Sequence, residues 1–141
     1  GKTAELLAAK CIGCGQCHAV CPSDAIEFEW THKGEEFQER LVDYCAAAAA
    51  RLRGRIIYVN VLCFFTKDCD CFDISQKPLC ADIGVLASRD PVAIDTATAD
   101  LIEKEAGRDL VREAGERDYR GMFAYAESLG LGSRDYELVE S

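Results

Sequence analysis

The sequence predicts an α/β fold, a partly parallel sheet with flanking helices, preceded by a small cysteine-rich module. Three observations carry this prediction. Four of the nine cysteines lie between residues 11 and 21. Two nearly continuous apolar runs, Arg55–Phe65 and Asp82–Ser88, have the pattern of strands buried on both faces. Segments with helical periodicity precede and follow these runs, and alternation of that kind argues for helices packed on a sheet. The predicted boundaries are 1–32 for the module and 33–141 for the α/β domain.

The module is defined by Cys11-Ile-Gly-Cys14-Gly-Gln-Cys17-His-Ala-Val-Cys21-Pro22, a C-x2-C-x2-C-x3-C-P run. Two residues between thiolates let a tight loop wrap one corner of a cluster. Gly13 and Gly15 permit close backbone approach and aim amide N–H groups at sulfide. The step from Cys17 to Cys21 predicts a short helix over 15–20, stopped by Pro22. This run resembles that of bacterial-type ferredoxins, which implies that Cys11, Cys14, Cys17 and Cys21 bind a [4Fe–4S] cluster. Zinc is the alternative metal, although structural zinc sites usually pair two C-x2-C knuckles or add histidines. His18, inside the run, could modulate a reduction potential through a hydrogen bond, but reads as a helix-surface histidine with no ligand role.

In two-cluster ferredoxins the fourth cysteine of such a run ligates the other cluster. Only one run is present here. Either a lone cluster takes its fourth ligand from Cys21 or a distant thiol, or the chain is part of a longer protein holding one or two clusters; the second is the expectation. Residues 1–7 and 25–30 resemble the strands that flank each half of a two-cluster module.

In the larger part, Gly34–Arg53 reads as a helix with Phe37, Leu41, Tyr44, Cys45, Ala48 and Leu52 on its apolar stripe. Arg55–Phe65 is then a central strand interrupted by Asn60, a residue expected to satisfy neighbouring backbone groups. Residues 66–81 form a long loop, a type that tends to be functional or disordered. After the second strand, Asp90-Pro91 supplies an N-cap and a first-turn proline for a helix to about Glu105, with Ile94, Ala97 and Leu101 inward. A short helix over 109–114 follows. Tyr119, Met122, Phe123, Ala126 and Leu129 mark another helix, and Tyr136–Val139 a final short strand.

The long loop carries Asp68-Cys69-Asp70-Cys71 and Cys80. Cys69 and Cys71 could ligate a soft metal or complete a cluster, and the loop leaves the end of a strand where α/β folds place sites; cysteines are also often inert packing residues. Cys45 and Cys63 read as core, and Cys80 stays open. Asp82 and Asp95 read as structural, with cation binding beside Asp90 as the alternative. The cysteine run, Asp68–Cys71, and Asp82–Asp95 with Ala99-Asp100-Leu101 together resemble a family of domains of unknown function numbered 362. The resemblance implies a ferredoxin segment joined to an α/β domain, with an upstream portion and a first cysteine run outside this chain, but no biochemical role.

A formal net charge of −9, from 25 acidic and 16 basic residues, opposes binding to nucleic acid or anionic membranes. The odd cysteine count and the cluster spacing argue against a secreted disulfide scaffold, and for a reducing, cytoplasmic setting. No transmembrane candidate, catalytic triad, phosphate loop or nucleotide fingerprint is present. The expected function is one-electron transfer through a [4Fe–4S] cluster to or from a redox partner protein or an upstream domain. The alternatives are a non-redox, metal-stapled binding module, or the substrate-binding part of an oxidoreductase using the Cys69/Cys71 loop.

Overall fold

Local chemistry sets most helix boundaries in this chain. The computed structural model describes residues 6–23, 25–26, 34–52, 54–68, 74–115 and 118–140, and divides into two units, Gly1–Thr31 and His32–Ser141. In the first, a 3-10 turn over Ala8–Lys10 leads into the cysteine run, and α1 spans Gln16–Ala19. Most of 1–7 and 25–30, expected as strands, lies outside the described residues.

The second unit contains α2 (Glu35–Leu52), β1 (Tyr58–Leu62), β2 (Gly84–Ser88), α3 (Pro91–Ala106), α4 (Leu110–Gly115) and α5 (Arg120–Ser128). Every helix predicted for 33–141 is present. Asp90 caps α3 as its sequence position requires, its Oδ1 accepting the N–H groups of Val92 and Ala93 at 2.8 and 2.9 Å. The same carboxylate reaches the far end of the chain, where Oδ2 accepts the N–H of Ser133 at 2.9 Å.

The architecture is mixed α/β, but the described sheet has two strands paired antiparallel, Tyr58 opposite Ser88 through Leu62 opposite Gly84. The partly parallel sheet predicted from the apolar runs is not found among the described residues. A parallel crossover normally carries a helix. Here 63–83 contains no described helix and returns the chain to the same end of the sheet, Ile83 N–H bonding the Leu62 carbonyl at 2.8 Å.

Helix α3 packs on both strands and on α4 and α5, while α2 packs on α5. Its buried residues, Val92, Ile94, Thr96, Ala97, Ala99 and Ile102, exceed a single stripe because it sits between these neighbours. One core cluster joins Val42, Val92, Ala99, Phe123 and Ala126. The other joins Leu62, Ile102 and Leu110.

Two burial expectations fail. The second face of the sheet is open, with Val59, Val61 and Val85 exposed by 56, 62 and 65%. On α2 the packed residue is Val42, whereas Phe37, Leu41, Tyr44 and Leu52 are exposed. Cys45 and Cys63, predicted as core, are exposed with them. In each case a second apolar face lacks a described partner, and periodicity alone cannot distinguish covered faces from open ones.

The tail is not the predicted strand: residues 135–140 carry no described strand pairing. Its Tyr136 hydroxyl instead donates to Asp100 Oδ2 at 2.9 Å. Asp100 and Glu103 on α3 also receive the Arg120 guanidinium, at 2.9 and 2.8 Å. Beside it, the Tyr119 hydroxyl donates to Asp109 at 3.1 Å.

Burial, partly offset by the Arg120 guanidinium and reinforced by the Asp109 hydrogen bond and charge, pushes the Tyr119 pKa up to about 12 from its ordinary 10.0. Because the folded value is the higher one, the neutral phenol's contribution is complete below the unfolded value and declines as pH rises through the folded one. Denaturant midpoints of the wild type and Tyr119→Phe should therefore keep a constant difference below about pH 10 and converge between about pH 10 and 12. A difference unchanged across that window would refute the assignment.

Candidate functional site

The cysteine run is organised by backbone. Gly13 and Gly15 both take φ of 70°, in the left-handed region that side chains rarely enter. Gly15 opens α1, its carbonyl accepting the N–H groups of His18 and Ala19 at 3.1 and 3.2 Å. The helix closes where Cys21 N–H bonds the His18 carbonyl at 3.2 Å, just before Pro22.

Two amides are turned toward sulfur. Gly13 N–H donates to Cys11 Sγ at 3.4 Å, and Ala25 N–H to Cys21 Sγ at 3.3 Å. Cys11, Cys14 and Cys17 are exposed and Cys21 is half-buried. Among the described residues, no three histidine, cysteine, aspartate or glutamate side chains are gathered closely enough to hold a metal ion. The donor set nevertheless suits an iron–sulfur cluster: four thiols at close sequence spacing, with amide donors aimed at two of the sulfurs, where N–H groups offset thiolate charge.

The second candidate was the long loop. Cys69 and Cys71 lie outside the described residues. What is described is a clamped base: Leu79 N–H bonds the Phe65 carbonyl at 2.8 Å, while the Gln76 side chain both accepts from the Asp68 N–H and donates to the Asp68 carbonyl at 2.9 Å. Phe64 has φ of 53°, in the left-handed region, and its N–H donates to Asp82 Oδ1 at 2.8 Å. Asp82 thereby holds a strained strand exit. Burial pushes the Cys80 thiol pKa up, and the charges of Glu105 and Asp82 raise it further.

Asn60 differs from expectation. Its amide donates to side chains, Asp95 Oδ1 and Thr98 Oγ1 on α3, both at 2.9 Å, and thus joins sheet to helix. It also lines a cavity of about 300 Å³ shared with Cys63, Cys80 and Thr98. Asp90, Asp95 and Asp82 each have such a structural contact, and they are not drawn together.

The profile of the family described as Domain of unknown function (DUF362) matches residues 8–100. The chain belongs to this family. The DUF362 match takes in the cysteine run, the long loop, both strands and most of α3, leaving α4 and α5 beyond it. No curated protein and no solved structure matches the chain.

Sequence reasoning set His18 aside. Its Nδ1 lies 2.9 Å from the Ile26 carbonyl, a contact for which the spacing carried no signal.

Proposed function

We propose that the Cys11–Cys21 loop holds a [4Fe–4S] cluster and that the protein carries single electrons between a reduced and an oxidised partner, either a separate protein or an upstream domain. The observation that carries this reading is the coincidence of the C-x2-C-x2-C-x3-C-P spacing with amide donors on the Cys11 and Cys21 sulfurs. Bound there, such a cluster supplies a one-electron couple whose potential depends on hydrogen bonds to sulfur and on exposure.

The chain's own residues have distinct parts in this. Cys11, Cys14 and Cys17 supply thiolates from the exposed loop. Cys21, directed by Pro22 and the Ala25 amide, supplies the fourth, to the same cluster or to an adjoining one. The acidic surface favours a basic partner face, since complementary charge speeds encounter. Among the described residues no helix is long and apolar enough to cross a membrane; we propose a cytoplasmic setting on the cysteine chemistry.

Anaerobically purified protein should contain iron and acid-labile sulfide, absorb broadly in the visible, bleach on reduction and become paramagnetic. Cys14→Ser should abolish or severely reduce iron content. Colourless protein binding only zinc, with the complete parent gene expressed, would end the redox reading and leave a metal-stapled module. Cys69→Ser combined with Cys71→Ser tests the long loop by the same measurements: unchanged iron and spectrum would remove it from the ligand set.

A further inference from the structure

Among the described residues of the first unit none is fully buried, and the half-buried ones are Gly15, His18, Cys21 and Ile26. This small set is the interior of the described part of the unit, and a hydrogen bond from the His18 side chain runs through it. A carbonyl oxygen only accepts, so the 2.9 Å contact requires His18 Nδ1 to carry the proton and donate it to Ile26. The bond ties α1 to the chain beyond the Cys21-Pro22 turn. Between its two ends lie the Cys21 thiol and the Ala25 amide that donates to it.

Resting on the cluster reading above, we propose that His18 is a positioning residue for Cys21. It closes the turn so that the Ala25 N–H meets the sulfur and the thiolate is held in one direction. His18 acts through hydrogen-bond geometry, not through a change of charge.

The test compares the whole chain with His18→Leu, which removes the donor, and His18→Asn, whose amide N–H can replace Nδ1. After anaerobic reconstitution with ferrous iron and sulfide, His18→Leu should lose its visible absorption to a chelator about 10-fold faster than wild type, the scale typical for groups supporting metal ligands. His18→Asn should restore most of the difference. In iron-free protein, Ala25 amide exchange followed by NMR should accelerate several-fold in His18→Leu and recover in His18→Asn. A wild type that takes up no iron even when expressed from the complete parent gene defeats the cluster reading, while the exchange arm still decides whether His18 holds the turn. Equal chelator loss and equal exchange in His18→Leu and wild type would overturn the inference, as would an Asn variant no better than Leu.

Discussion

Leu110→Ala is expected to destabilise the second unit by about 3–4 kcal/mol, measured as a fall in urea midpoint at unchanged slope. Leu110 is 1% exposed and packs with Leu62 of β1 and Ile102 of α3. The side chain therefore ties the six-residue α4 to both layers, and a helix that short has no stability of its own. Truncation removes the transfer energy of the buried methyl groups and leaves a cavity among neighbours held by other contacts. Against a typical total of about 5–15 kcal/mol, the loss is a large fraction. Leu110→Met, close in volume, should cost less than about 1.5 kcal/mol. A loss below about 1 kcal/mol for the alanine variant would mean that α4 does not seat on this core.

The second large effect is expected at Gly132. A Cβ built there would fall 1.9 Å from Asp90 Oδ1 and 2.6 Å from its Cγ, so an alanine cannot coexist with the present carboxylate. Gly132→Ala must displace either the tail, breaking the Ser133 bond, or the carboxylate, uncapping α3. Loss of a cap alone costs about 1–2 kcal/mol, and the lost tail contact raises the expected total to about 2–3 kcal/mol. Asp90→Ala removes both cap and clash, so adding Gly132→Ala to it should cost little. The two substitutions should therefore be non-additive by about 1–2 kcal/mol in a double-mutant cycle. Strict additivity would show that the carboxylate does not occupy the space facing Gly132.

These effects differ in how far they could be foreseen. That Asp90 caps α3 was legible from Asp90-Pro91, because capping is satisfied within four residues of chain. The same carboxylate's bond to Ser133 spans 43 positions and has no local signature. Similarly, α1 follows from glycine, cysteine spacing and proline, whereas the His18–Ile26 bond depends on where the chain goes after the turn. Cys45 and Cys63 show the limit from another side: both sit in apolar patterns, and both are exposed because no described element covers their faces.

For the candidate site, the sequence by itself determined the spacing of the four thiols, the short helix within the cysteine run and the α/β mixture, because each is written in neighbouring residues or follows from steric and hydrogen-bonding preferences acting over a few of them. Only the tertiary structure decided that the strands run antiparallel, that Asn60 clamps β1 to α3 and that Asp82 holds Phe64. Those outcomes depend on which distant groups meet once the chain has turned, and apolar periodicity, being the same for a covered and an uncovered face, carries no record of the partner.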